Sequence, residues 1–356
     1  MNATPPPPAA TRTEPTNPPG ASGLPTPDAE LETALRAGLD EVEARLRVAV
    51  GSTDPLADSA SKHLVVAGGK RVRPMLTLLG SFFGEAGSTG PVRVEVLEAA
   101  VVVELTHLAS LYHDDVMDSA PTRRGAKSAH EIWGNNVAIL TGDLLFARAS
   151  NVVAGLGPTA VRIQASTFER LCLGQLRETV GPADGEDPVE HYLGVLSDKT
   201  ASLIATAGRF GAMFSGAGTS VEQALVRYGE DVGVAFQLAD DVLDLTSDTE
   251  ESGKRPGTDL REGVPTLPVL YARRAAAAGD AAAAEIVAVL DSGKLDDDEV
   301  LAEAVRLLRA HPVTDEARGA AREWAERAIG HLADLPDVPA RTALRVYAET
   351  VADRVG

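Results

Sequence analysis

From about Ala29 onward, apolar residues recur at helical spacing along this chain. Leu31, Leu35, Leu39, Val42, Leu46 and Val50 fall three or four apart, so a helix would carry them on one face. Residues 94–112 are apolar almost throughout and predict a second, longer helix. Glycine-rich breaks at 84–90, 155–158, 181–188, 216–218 and 252–257 separate these stretches. Period-two alternation joined by hairpin turns does not occur. None of the breaks reads as a linker, so residues 29–356 are expected to form one large all-α domain.

Residues 1–28 depart from the pattern. Pro5-Pro6-Pro7-Pro8, Pro18-Pro19, Pro25 and Pro27 alternate with Thr, Ala, Gly and Ser, a mixture that cannot bury apolar area. A disordered tail is expected there, and it lacks the basic and apolar regions of a signal peptide. No stretch reaches the roughly 18 uncharged apolar residues of a membrane span. A soluble, cytoplasmic protein follows as the expectation. The lone Cys172 excludes an internal disulfide and a cysteine metal site, in keeping with a reducing compartment.

Composition sharpens this picture in two ways. Hydrophobic residues make up 44% and aromatics only 4%, a core rich in Ala, Leu and Val that suits helices more than sheets. The net charge of −19 lacks the basic footprint of a nucleic-acid binder, so local clusters of cations stand out.

The candidate chemistry begins with a duplicated acidic pattern. Asp114-Asp115-Val116-Met117-Asp118 and Asp240-Asp241-Val242-Leu243-Asp244 each follow an apolar run. On a helix the first and third Asp of each motif share a face, and the middle one points about 100° away. Carboxylates driven into apolar surroundings are costly unless a cation meets them. An all-oxygen set without His or Cys favours a hard cation, and Mg²⁺ typically takes one or two carboxylates plus substrate phosphates. Two facing Asp pairs would hold a metal–polyphosphate complex between them. By contrast, Asp296-Asp297-Asp298-Glu299 has no apolar run before it and reads as a charged helix start.

Cations sit where such a complex would need them. Gly68-Gly69-Lys70-Arg71-Val72-Arg73-Pro74 places three behind a glycine pair, without the spacing of a P-loop. Arg123-Arg124-Gly125, Asp198-Lys199-Thr200 and Gly253-Lys254-Arg255 add more, and two diphosphates would supply the anions they lack.

Taken in order with His113-Asp114 and Phe236-Gln237, these motifs resemble those of the trans-polyprenyl diphosphate synthases, from roughly Leu31 to the C-terminus. The resemblance implies a single all-α bundle around a central cavity (the isoprenoid synthase fold), a homodimer, and about three Mg²⁺ ions. It implies that Asp114, Asp118 and Asp240 ligate Mg²⁺, with Asp115, Asp241 and Asp244 supporting them directly or through water. Lys70, Arg73, His107 and Arg124 match the isopentenyl diphosphate pocket. Arg123, Lys199 and Lys254 match contacts to the allylic diphosphate, and Thr200 and Gln237 match the polar lining that faces the allylic cation. His113 reads as a supporting neighbour. Val264 stands where many short-chain members carry a lysine, leaving that pocket one cation short. Peripheral membrane contact at product release is left open.

The reaction so implied is condensation of isopentenyl diphosphate with an allylic diphosphate. Other classes fit less well. A His-Asp phosphohydrolase needs further His ligands, a non-catalytic partner subunit usually lacks one Asp motif, and a class I terpene cyclase typically shows a different second motif. A short-chain farnesyl or geranylgeranyl diphosphate synthase stays as the alternative within the family. Product length should depend on side chains four and five residues before Asp114, about 6–7.5 Å down the helix. These are Ser110 and Ala109, where short-chain members of the family carry bulky aromatics. Both are small here and Tyr112 points about 200° away, so a product of roughly six to ten isoprene units, as in quinone side chains, is expected.

Overall fold

The apolar stripe of residues 31–50 folds as α1 (Ala29–Ala49), with Leu31, Leu35, Val42 and Leu46 buried. Asp28 starts it by accepting from the Leu31 N–H at 2.8 Å, satisfying one of the donors a helix leaves open. Asp54 does the same for α2 (Pro55–Val66), with proline at the first helical position. These details come from a computed structural model, which describes residues 28–85, 87, 90–246 and 256–354. The proline-rich segment before Asp28 lies outside the described residues.

Next come α3 (Val72–Ser81) and α4 (Val94–Met117). The second is the predicted long apolar helix. It is apolar on nearly every side and correspondingly buried, from Val96 through Tyr112. Helices α5 (Ala129–Trp133), α6 (Asn135–Gly155), α7 (Pro158–Val180) and α8 (Pro188–Leu196) follow. A π turn at Ser197–Ala201 leads into α9 (Ser202–Ser215) and then α10 (Thr219–Thr246). The C-terminal part holds α11 (Thr258–Arg261), α12 (Leu267–Ala277), α13 (Ala281–Leu290), α14 (Asp298–Ala310), α15 (Pro312–Gly330) and α16 (Pro339–Asp353).

The expectation that no hairpin occurs fails at one place. Thr122–Arg123 pairs antiparallel with Ala126–Lys127 across a two-residue turn. Arg124 and Gly125 both take positive φ there (54° and 75°), the geometry of a primed hairpin turn. Gly125 was the visible signal, but strands of two residues are too short to show alternation.

In the core, α4 packs against α6, α3, α9 and α1, while α10 packs against α9 and α15. One apolar cluster runs from Leu31 to Val351, and a smaller one gathers α12, α13 and α14 around Leu245. Among the described residues, α6 is the one helix long and apolar enough to cross a membrane by length and composition. It carries Asp143 and Arg148 and packs on α4 within the bundle.

Candidate active site

The two acidic motifs end up on the wall of one cavity of about 950 Å³. Asp114 lies in the last turn of α4 and Asp240 near the end of α10, and both line it. Asp118 closes α4 and is exposed. Burial, reinforced by Asp118 and opposed by Lys199, lifts the Asp114 carboxyl to about 6. The other three acids do not line the cavity and are engaged by protein groups. Asp115 is fully buried and takes Arg123 at 2.6 Å. Asp241 accepts from Gln237 Nε2 at 3.1 Å and from the Tyr192 hydroxyl, and burial pushes its carboxyl well above the usual range. Asp244 accepts from the backbone N–H of Thr258 (3.2 Å) and Asp259 (3.1 Å). For Asp115 and Asp241 helical geometry is the reason, since the middle Asp of each motif points away from the shared face; Asp244 shares the face of Asp240 and is held instead by the backbone N–H groups of Thr258 and Asp259.

Among the described residues, no three His, Cys, Asp or Glu side chains stand close enough to hold an ion alone. Asp114 and Asp240 bring carboxylate oxygens to the cavity, the ligand type a hard cation takes, and one Asp115 oxygen is buried without a hydrogen-bond partner.

The same cavity carries the cations. Lys70, Arg73, His107, Arg123, Arg124 and Lys199 all line the same cavity, and Lys254 lies outside the described residues. Gly68, Gly69 and Arg71 each adopt positive φ, which turns the chain sharply into α3 and brings Arg73 inward. Arg73 Nε is buried and unpartnered, and burial lowers the guanidinium from its ordinary value. Burial beside Arg73, Arg124, Arg123 and Arg71 drives His107 well below the usual imidazole range, so it is neutral at pH 7.

Several of these cations already have protein partners. Arg71 binds Glu104 (2.8 Å) and Glu43 (2.9 Å), which fixes the loop. Arg124 Nη1 donates to Leu64 O at 3.0 Å and to Gly68 O, tying the hairpin to that loop. Lys199 pairs with Glu178, and Arg354 pairs with Asp240 at 2.9 Å. Sequence reasoning missed Glu104, Glu178, Tyr192 and Arg354. Only Glu104 left a trace, as a lone acid in the run Val101-Val102-Val103-Glu104-Leu105.

Lys199 and Thr200 sit on the π turn, a form frequent at functional sites. A Cβ on Gly174 of α7 would stand 2.8 Å from Lys199 N, so α7 can press against that turn only with glycine there. Thr200 Oγ1 reaches Gln237 Oε1 at 3.5 Å, which joins the turn to the Asp241 network.

Below the polar rim the cavity turns apolar. Ser110 lines it as expected, but Ala109 does not: it is fully buried outside the lining. The aromatics near the path come from other helices. Phe146 of α6 and Phe168 of α7 line the cavity with ring centroids 4.2 Å apart, and Phe236 joins them from α10. None of these is close to Asp114 in sequence, so they could not be read there.

A helical bundle with cations and carboxylates at the rim of an apolar cavity defines a class of protein built for diphosphates with hydrocarbon tails. The polyprenyl synthetase family model matches residues 54–308. Nonaprenyl diphosphate synthase of Mycobacterium tuberculosis is 47% identical over 94% of this chain and 98% of its own. Geranylgeranyl pyrophosphate synthase of Corynebacterium glutamicum, crystallised with calcium and isoprenyl diphosphate, superposes with a TM-score of 0.82. It is 43% identical, covering 94% of this chain and all of that one. Polyprenyl synthase of Caulobacter crescentus, also solved with calcium and isoprenyl diphosphate, gives 0.82 at 32% identity, with 92% and 98% covered. This chain belongs to the polyprenyl synthetase family and is a prenyltransferase with the all-α isoprenoid synthase fold.

Proposed function

We propose that the protein condenses isopentenyl diphosphate with an allylic prenyl diphosphate to give a linear trans-polyprenyl diphosphate of roughly six to ten units. The observation that carries this is one cavity lined by Lys70, Arg73, Arg123, Arg124 and Lys199, by Asp114 and Asp240, and by apolar side chains that include Leu111, Phe146 and Phe168. Mg²⁺ held by Asp114, Asp118 and Asp240 would neutralise the leaving diphosphate and polarise the bond to the allylic carbon. Arg73, Lys70 and His107 hold the isopentenyl diphosphate, and Arg124 joins them while tying the hairpin to the loop that carries Lys70. Lys199, with Arg123 and Lys254, receives the allylic diphosphate. Thr200 on the π turn and Gln237 on α10 turn polar groups toward the charge that develops on the allylic carbon. The isopentenyl double bond then forms the new carbon–carbon bond, and the departing diphosphate takes the proton, so no side-chain base is required.

A second copy of the chain completes the proposal. Ile139 and Leu140 of α6 and Leu173 of α7 are exposed apolar side chains on neighbouring helices, the kind of surface a partner covers. Purified protein incubated with Mg²⁺, labelled isopentenyl diphosphate and farnesyl diphosphate tests the reading. Linear products longer than the primer support it. Cyclic hydrocarbon or inorganic phosphate without elongation would refute it.

A further inference from the structure

One stripe of α7 grips the π turn from behind. Arg170, Gly174 and Glu178 stand four residues apart, so they share a face of that helix. Glu178 holds the Lys199 ammonium. Gly174 lets the backbones close, since its Cβ would stand 2.8 Å from Lys199 N and 3.0 Å from Asp198 Cβ. Arg170 takes the remaining end. Its Nε donates to Asp198 Oδ1 at 2.8 Å, and its Nη2 donates to Ser197 O (3.2 Å) and Ser197 Oγ (3.1 Å). Glu230 of α10 fixes the guanidinium in turn, accepting from Nη1 at 2.5 Å and Nη2 at 3.1 Å. It also accepts from Ser197 Oγ at 3.2 Å. Neither Arg170 nor Glu230 lines the substrate cavity. Both border a separate recess of about 240 Å³ between α7, α9 and α10.

The guanidinium binds the part of the segment that makes it a π turn. Ser197 O accepts the Ser202 N–H five residues on, the wide bond that inserts an extra residue between α8 and α9. Relaxing it to the four-residue bond of an α-helix would rotate one end of the segment by about 100° against the other. Lys199 and Thr200 lie inside the turn and both line the cavity, so such a rotation would carry them off it. On the far side α10 closes in through Gly233, whose Cβ would stand 2.5 Å from Ala201 Cα. The glycines make room for the turn, and Arg170 with Glu230 bonds it to α7 and α10 at once. A planar fork of five N–H donors can meet two carboxylates and a carbonyl together, which an ammonium cannot do in one geometry.

We propose that Arg170, locked by Glu230, is a positioning residue that holds the π turn so that Lys199 and Thr200 face the allylic diphosphate; this rests on the prenyltransferase reading above. Its effect is confined to the substrate the turn serves, because Lys70, Arg73 and His107 stand on other elements.

The test measures steady-state kinetics of the full-length enzyme with Mg²⁺, farnesyl diphosphate and isopentenyl diphosphate, alongside thermal unfolding. Arg170→Met keeps much of the apolar stem and removes the fork. KM for farnesyl diphosphate should rise and its kcat/KM fall about ten- to hundredfold, the scale of a misplaced binding group. KM for isopentenyl diphosphate should not change. Arg170→Lys keeps the charge without the fork and should show the same selective loss. Glu230→Gln keeps the shape, loosens the hold on Arg170 and should show a smaller one; it carries the test if the Arg170 variants fold poorly. Arg209→Met is the control: Arg209 pairs with Glu222 at 2.8 Å in the same recess without touching the turn, and both KM values should match the parent's. A loss of active enzyme that tracks a lower melting temperature, with both KM values unchanged, would make the network merely structural and overturns the inference. Equal rises in both KM values overturn it, as does full activity in Arg170→Lys and Glu230→Gln. A parent enzyme that makes no linear prenyl product would instead overturn the prenyltransferase reading, and this inference with it.

Discussion

Replacing Asp114 by Asn should stabilise the metal-free protein while abolishing its chemistry, and the gain should depend on pH. Burial holds the Asp114 carboxyl at about 6 against an ordinary 3.8, with Asp118 adding to the rise and Lys199 opposing it. Between those values the folded protein keeps a proton that the unfolded chain has released. Stability therefore falls as pH rises through this window, the reverse of the usual carboxylate case. At full ionisation the gap corresponds to about 3 kcal/mol. Asn carries no charge to bury, so its advantage over the parent should be about 1 kcal/mol at pH 4.5 and about 3 kcal/mol at pH 8. Urea unfolding in the presence of a chelator, followed by circular dichroism at several pH values, measures this difference directly. An advantage that does not change with pH, or a variant less stable than the parent at pH 8, would refute the electrostatic argument. The same variant should show no Mg²⁺-dependent condensation.

Four further outcomes are expected. Arg73→Ala should mainly raise KM for isopentenyl diphosphate and Lys254→Ala mainly that for the allylic substrate; steady-state kinetics with the opposite pattern would show the two pockets exchanged. Arg354→Gln removes a cation that pairs with Asp240 at 2.9 Å, and a part-exposed pair of this kind is worth up to about 1 kcal/mol. Calorimetric titration without diphosphate should then show metal binding about two- to fivefold tighter, whereas weaker binding would mean that Arg354 assists the metal. Ser110→Phe should shorten the product, because Ser110 and not Ala109 faces the tail; an unchanged length would place the narrow point elsewhere. Gly142→Ala should lower stability by about 1–3 kcal/mol, since its methyl would stand 2.3 Å from His113 Nε2; a melting temperature equal to the parent's would show that α6 can shift.

The helices were legible because burial of one face imposes a period, and the stripe from Leu31 to Val50 shows it without interruption. The duplicated acidic motif was legible for a related reason: carboxylates that follow an apolar run are too costly to be accidental. What each Asp does was harder to read. Helical geometry separates the outer pair from the middle residue, and the structure agrees in turning Asp115 and Asp241 inward. It could not announce that Asp244 caps Thr258 and Asp259, because that contact joins residues across a loop. The two-residue hairpin escaped for want of length, although Gly125 marked its turn.

The product wall escaped for a deeper reason. A rule that reads upstream from Asp114 samples one helix, whereas a channel is bounded by every helix around it. Ala109 and Ser110 are adjacent and both small, yet their side chains point about 100° apart, and only Ser110 meets the cavity. Phe146 and Phe168 line the same cavity from α6 and α7, some thirty to fifty residues later in the chain. Substrate chemistry in this fold is thus written in local motifs, because charge must be concentrated where diphosphates bind. The side chains that wall the cavity come from α4, α6, α7 and α10, which only folding brings together.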